Sequence, residues 1–290
     1  MRRARNYTKT ARSFEAFWMF YDLMQENPED DQSEFYAYAS FSNAIKVGKK
    51  STAISIGKDY RSRFPNGDYY SDVTGALALL LKEGGFNEDF IALAVNFLNS
   101  HPQDAVSRSL FAEWAGFLIE NERYVELIRQ AAQWFNTHPN SIYEDGIFYW
   151  GGLAELQLNQ FEDAVGSFSR LIDQYPNSVY AEDGLLRKGA AEYYAQLFEE
   201  AHTTLHAYLD KYPQGRSRDQ ANFFLGEIEF LAERYEKSLA HFYEADKITT
   251  SQDVHDGCAF RIGAVLEATG RYEEMVTHFE QYIDLSLIHI

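Results

Sequence analysis

Between residues 142 and 175 the apolar positions fall into two runs. Ile142, Phe148, Leu153 and Leu156 form the first; Phe161, Ala164, Val165, Phe168, Leu171 and Ile172 form the second. The second run has i, i+3, i+4, i+7 spacing, which sets its apolar side chains on one face of a helix. Two helices are predicted: A over roughly 142–158, and B from Phe161 to just before Pro176. Ser141, with Glu144 three residues on, predicts a capping box at the start of A. Asn159 in "LNQFED" (158–163) marks the turn. Pro176 ends B, because proline has no N–H to give the helix and restricts the residue before it. So short a loop makes A and B antiparallel neighbours, a helical hairpin.

The hairpin recurs. Pro28, Pro65, Pro102, Pro139, Pro176 and Pro213 are the six prolines of the chain, and neighbours are always 37 residues apart. The turn aromatic repeats as Tyr124, Phe161, Phe198, Tyr235 and Tyr272, and a glycine inside A repeats as Gly152, Gly189, Gly226 and Gly263. Three residues after the aromatic comes a small side chain (Ala164, Ala201, Ser238), and seven after it a large apolar one (Phe168, Leu205, Phe242, Phe279). A fixed period in this range defines a stack of supersecondary units, each contacting its neighbours. The expected fold is all-α, an α-α superhelix (solenoid) of about eight antiparallel hairpins. The units fall near 1–28, 29–65, 66–102, 103–139, 140–176, 177–213, 214–250 and 251–290, in a single array. "QYPNSVY" (174–180) is then a seam, with Asn177 and Ser178 opening the next A helix and Tyr180 packing across the joint.

Glycine inside a helix costs roughly 0.5–1 kcal/mol relative to alanine. Four at one phase require a compensating gain, and close approach of B to A supplies it. The ends break the pattern. Back-projection puts the first turn aromatic near Phe14, with Ala16, Phe20 and Leu23 in phase, and the glycine position near Ala4. The closing "LSLIHI" is apolar, where a terminal repeat needs a polar outer face. Truncation at both ends is expected.

Composition refines this picture. At 46% hydrophobic and 16% aromatic residues there is ample material for a core. No apolar run approaches the ~18 residues that would span a bilayer. The net charge is −18. The first twelve residues hold five of the 26 basic residues and no acid, so 21 basic against 44 acidic residues leave the rest at −23. Such a body repels phosphate backbones, and nucleic acid is excluded as a partner. The single cysteine, Cys258, forms no internal disulfide and reads as a small buried residue.

No constellation of catalytic side chains emerges. "GKKS" (48–51) has Asn43 where a phosphate loop needs its first glycine, and it lies in a helical hairpin. His202 and His206 are spaced i, i+4, but "HTTLH" lacks the glutamate of a zinc protease helix, and they read as an ordinary exposed face. His101 and His138 occupy the slot of Phe64, Tyr175 and Tyr212 and read as packing substitutes. Glu199–Glu200 and Glu273–Glu274 sit at helix starts, where the macrodipole favours acids. No enzyme activity, cofactor or metal is expected.

A small residue in A, an aromatic nine later, a small residue three beyond it and a proline fifteen after the aromatic resemble the tetratricopeptide repeat. Gly152, Phe161, Ala164, Phe168 and Pro176 carry the match, as do Gly189, Phe198, Ala201, Leu205 and Pro213. The usual period is 34; three extra residues lie between the proline and the glycine. With "YPNSVYAEDGLL" (175–186) and "HPNSIYEDGIFYWGG" (138–152), the period resembles repeats of bacterial envelope proteins, such as the outer-membrane assembly lipoprotein and the Tol-Pal accessory protein. The unit after Pro28 departs from the pattern in lacking the turn aromatic, and that after Pro65 has Phe86 one residue out of phase.

The resemblance implies a protein or peptide partner on a concave face lined by the A helices, in the periplasm or cell envelope; a cytoplasmic location is the alternative. Helical phase then directs inward the residues three before, one after and four after each glycine. Those slots hold Tyr149, Leu153 and Leu156; Leu186, Ala190 and Tyr193; Phe223, Glu227 and Phe230; Phe260, Ala264 and Glu267. The strongest candidates for partner contact are Tyr149, Leu153, Leu186, Tyr193, Phe223, Phe230 and Phe260. They carry no basic group to clamp a carboxylate. The expected function is a non-catalytic interaction scaffold; the alternative is the repeat arm of a larger enzyme or regulator.

Overall fold

A computed structural model describes residues 12–288. The back-projected glycine slot at Ala4, the basic residues Arg2 to Lys9 and the side chains of "LSLIHI" lie outside the described residues. Every regular element among the described residues is a helix. The first, α1 (Ser13–Glu26), is followed by seven hairpins: α2 (Ser33–Lys46) with α3 (Lys50–Arg63), α4 (Tyr70–Glu83) with α5 (Asn87–Ser100), α6 (Ala105–Glu120) with α7 (Tyr124–Thr137), α8 (Glu144–Gln157) with α9 (Phe161–Gln174), α10 (Ala181–Tyr194) with α11 (Phe198–Lys211), α12 (Arg218–Leu231) with α13 (Tyr235–Ile248), and α14 (Gln252–Ala268) with α15 (Tyr272–Ile288). Helix α1 has the phase of a B helix, and Ala16 and Phe20 are buried, as back-projection requires.

The period extends to the backbone. The B helices start 37 residues apart from Ser13 to Tyr272. Every A–B turn contains one left-handed residue, again 37 apart: Gly48, Gly85, Glu122, Asn159, Gln196, Glu233 and Gly270. This residue reverses the chain in two or three positions, which right-handed conformations cannot do. Helices α3 and α5 start in register at Lys50 and Asn87 although neither is aromatic. Tertiary packing overrides the missing local signal.

The chain forms two compact units. One is the chain up to Asn121 with Gln133–Glu144; the other is Glu122–Ala132 with everything from Asp145. In the first, Phe111, Trp114, Trp134 and Tyr143 make an aromatic core, with Phe111 and Tyr143 stacked at 5.1 Å. In the second, Leu185, Leu205, Tyr208, Ala221 and Leu225 form one cluster, and Phe242, Cys258, Ile262 and Val265 the next.

The seams explain the prolines. Before each of Pro65, Pro102, Pro176 and Pro213 the residue that follows B still donates its N–H to the carbonyl four back (Phe64, His101, Tyr175 and Tyr212, 2.8–2.9 Å). A buried tyrosine then pins the loop. Tyr60 Oη donates to Glu34 at 2.6 Å and accepts from the Tyr69 N–H at 3.2 Å. Four repeats later Tyr208 Oη donates to Glu182 at 3.4 Å and accepts from the Ser217 N–H at 3.2 Å. Tyr69, Tyr143 and Tyr180 each stack across the joint, on Tyr38, Phe111 and Tyr149.

Two local expectations are corrected. The Glu144 carboxylate accepts from the N–H of Asn140 rather than Ser141, so the expected capping box does not form at Ser141, and α8 begins at Glu144. Asn177 and Ser178 form a turn, and α10 begins only at Ala181. Ser178 Oγ donates to Asp145 at 2.7 Å and accepts from the Tyr180 N–H at 3.1 Å, which holds the turn in place of a helix start.

Candidate functional site

In the second unit the A helices touch one another in succession, α10 with α12 and α12 with α14. Their contacts use the side chains that the sequence directed inward. Tyr149 stacks on Tyr180 at 4.5 Å and donates to Asp183 at 2.8 Å. Tyr193 lies 5.4 Å from Phe224 and donates to Glu227 at 3.1 Å; Arg261 reaches the same carboxylate at 2.6 Å. Burial and the Glu227 carboxylate push the Tyr193 phenol up to about 12, and burial with Asp183 pushes Tyr149 further in the same direction. These hydroxyls stay protonated and act as donors. Phe223 packs on Phe242 at 5.6 Å, and Phe230 on Tyr235 at 5.8 Å.

Of the seven candidates, Tyr149, Leu153, Tyr193, Phe223 and Phe230 are half-buried, while Phe260 is 64% exposed. Leu186 is 1% exposed. It belongs to the core, where its side chain packs with Leu205, Ala221 and Leu225. Ala190 is likewise buried.

The solvent-facing feature is a groove of about 430 Å³ across α8, α10 and α12. Leu156, Leu186 and Ala190 contribute its apolar surface, and Phe161, Tyr194 and Phe224 its aromatic walls. Phe161 and Tyr194 stack at 5.4 Å, and Tyr194 meets Phe224 edge-on at 5.9 Å. Gln157, Asn159 and Gln220 supply amides, and Arg187 is the one charged lining residue. Its Nε donates to Asp183 at 3.2 Å. No acidic side chain lines the groove, in a chain with 44 of them.

Sequence reasoning missed Gln157, Arg187, Tyr194, Gln220 and Phe224. Relative to the helix glycine, Arg187 and Phe224 stand at −2, Gln157 and Tyr194 at +5, and Gln220 at −6. At 100° per residue that stripe lies about 80° further round the helix than the −3, +1, +4 stripe. Leu156, Leu186 and Ala190 of the nearer stripe line the groove, Tyr149, Tyr193, Phe223 and Phe230 of that stripe are engaged by neighbouring helices and seams, and the farther stripe supplies the groove's aromatic and polar walls. Phe161 was legible as a turn aromatic but not as a groove wall.

The exposed-face reading of His202 and His206 is also corrected. His202 Nε2 donates to Glu229 at 3.1 Å, and the His206 ring lies between those of His202 (4.5 Å) and His241 (5.8 Å). His101 stacks on Phe97 at 4.6 Å, a packing role as expected. His138 bonds to the Asn99 carbonyl at 2.9 Å. Among the described residues no group of three His, Cys, Asp or Glu side chains is arranged to hold a metal ion, and no helix is long and apolar enough to cross a membrane.

These features define the class: an all-α array of helical hairpins whose A helices present a groove. The comparisons with known proteins agree. A family described as outer membrane lipoprotein (YfiO) matches residues 143–279, just under half of the chain. The C-terminal part of a TPR repeat-containing protein from Cytophaga hutchinsonii has a similar structure, with 15% identity and a TM-score of 0.62 over 88% of this chain and 98% of that one. A tetratricopeptide repeat protein from Parabacteroides merdae is similar at 13% identity and a TM-score of 0.53, over 86% and 92% of the two chains. MamA from Desulfovibrio magneticus is similar at 19% identity and a TM-score of 0.51, over 62% and 94%. No curated protein matches the sequence. The chain therefore has the fold of a tetratricopeptide-repeat solenoid, and the resemblance drawn from its repeats holds.

Proposed function

We propose that this protein is a non-catalytic scaffold that binds a partner protein or peptide in the groove across α8, α10 and α12, acting in the bacterial cell envelope. The observation that carries the reading is the groove: aromatic walls, an apolar floor and no acidic lining, on a body of net charge −18. Aromatic anchors bordered by amides suit a segment whose side chains enter apolar pockets while its backbone is hydrogen-bonded. Tyr149, Leu153, Tyr193, Phe223 and Phe230 flank the contact along the same helices, and Phe260 extends the row on α14. The hairpins act as one array, and the acid excess disfavours nucleic acid. The envelope location rests on the lipoprotein-family match over residues 143–279.

Replacing Tyr194 and Phe224 together by Ala should lower recovery of a co-purifying envelope protein by at least about tenfold. Tyr243→Ala, on the exposed face of α13, should leave it unchanged. Equal recovery with all three proteins would overturn the assignment of the groove.

A further inference from the structure

Three histidines converge where the B helices α11 and α13 meet α12. His202 and His206 lie on α11, one turn apart, and His241 lies on α13. Hydrogen bonds define two of the three tautomers. Asn222 Nδ2 donates to the Arg218 carbonyl at 2.9 Å, which orients its amide so that Oδ1 accepts from His241 Nδ1 at 2.9 Å. Neutral His241 therefore carries its proton on Nδ1. His202 carries its own on Nε2, because the partner is the Glu229 carboxylate. That carboxylate is 2% exposed and also takes the Arg234 guanidinium. His206 sits between the other two rings.

We propose that this histidine cluster is an acid-sensitive seam, which holds the hairpins α10–α11 and α12–α13 together while His206 and His241 are neutral and loosens when they are protonated. The charges facing the cluster explain why. From α11 come His202 and Asp210, from α12 Glu229, and from α13 Lys237, with Arg234 just before it. Arg218, one turn from Asn222, is engaged by Glu244 at 3.8 Å. Protonating His206 and His241 adds two positive charges beside Lys237 and Arg234. Only Asp210 and Glu229 oppose them, and Glu229 already accepts from His202 and Arg234. Burial holds both imidazoles below the usual histidine range; His202 adds to this at His206, and His206 at His241.

The sign follows. The unfolded chain takes up these protons near pH 6.5, and the folded chain only at lower pH. Stability from the seam is complete above about pH 7 and is lost as pH falls through 6.5 towards the folded values. Helix α12 also carries Gln220 and Phe224, so loosening shifts one wall of the groove; that consequence rests on the function proposed above.

The test needs no partner. Thermal midpoints of the full chain and of His206→Gln/His241→Gln are compared at pH 7.5 and 5.5, and imidazole nitrogens of the unaltered chain are titrated by NMR. The unaltered chain should lose at least about 2 °C more than the double variant on acidification, and the His206 and His241 imidazoles should titrate below the usual histidine range. Equal losses in the two proteins, or His206 and His241 imidazoles that titrate in the usual histidine range, would overturn the proposal. If the double variant fails to fold, the NMR titration decides alone.

Discussion

The ring of Phe168 lies against Gly152 so closely that a Cβ on the glycine would stand 2.8 Å from Phe168 Cζ. The same contact joins Gly189 to Leu205, Gly226 to Phe242 and Gly263 to Phe279. In the first unit the two sizes are exchanged: Phe41 occupies the A-helix slot and Gly57 the B-helix slot, again with 2.8 Å available. In these five hairpins one small and one large side chain fill the crossing, in either order.

Gly152→Leu should therefore overpack the α8–α9 crossing and destabilise the protein by more than about 1 kcal/mol. Adding Phe168→Ala should recover much of the loss, because the two volumes compete for one space. Urea titration of the two variants checks this. An unchanged midpoint for Gly152→Leu would remove the explanation for the repeated glycine.

The turns give a second expectation. Glu122, Gln196 and Glu233 hold positive φ of 56–63° at positions filled elsewhere by Gly48, Gly85 and Gly270. A left-handed backbone costs an ordinary L-residue roughly 1–2 kcal/mol, partly offset by the entropy glycine would lose on folding. Each change to Gly should stabilise by about 0.5–1 kcal/mol, read as a raised thermal midpoint. Gly85→Val should lower it.

A buried acid gives a third. Glu192 is 3% exposed and its Oε2 has no hydrogen-bond partner. Burial raises its pKa above the ordinary glutamate value, against the opposing effects of Thr204 and Lys188. The folded state thus keeps this proton to higher pH than the unfolded state, and stability falls as pH rises through that window. Glu192→Gln should raise the thermal midpoint at pH 7.5, by an amount that shrinks towards pH 4.

Cys258 provides a reporter of the last hairpins. It is fully buried, and burial pushes its thiol up to about 12. It should resist a disulfide reagent at pH 8 in the native protein and react within seconds in denaturant. Fast native labelling would show that the Phe242–Cys258–Ile262 cluster opens readily.

Much of the fold was legible because the repeat wrote it several times. The prolines, the turn aromatics and the Gly152–Phe168 register each pointed to the same hairpin. Local chemistry was less reliable: Ser141 and Ser178 are good helix starters, yet neighbouring carboxylates recruit the backbone or the hydroxyl and move the start. The left-handed turn carries a residue-type signal at Asn159 and at Gly48, Gly85 and Gly270, but none at Glu122, Gln196 and Glu233. The groove was legible in part: Leu156, Leu186 and Ala190 lie on the expected stripe, but its aromatic and polar walls stand about 80° further round the helices, because periodicity reveals the buried stripe and not which flank a neighbouring helix covers. The histidine cluster draws on three helices, and no local spacing could show that Glu229 faces His202.

The central claim is that a partner lies in the groove across α8, α10 and α12. A photo-crosslinking amino acid at position 194 addresses it, with position 243 as control, since Tyr194 and Tyr243 are 51% and 47% exposed on different helices. The account predicts one discrete protein adduct from position 194 and none from position 243. Equal adducts from both, or an adduct from 243 alone, would contradict it.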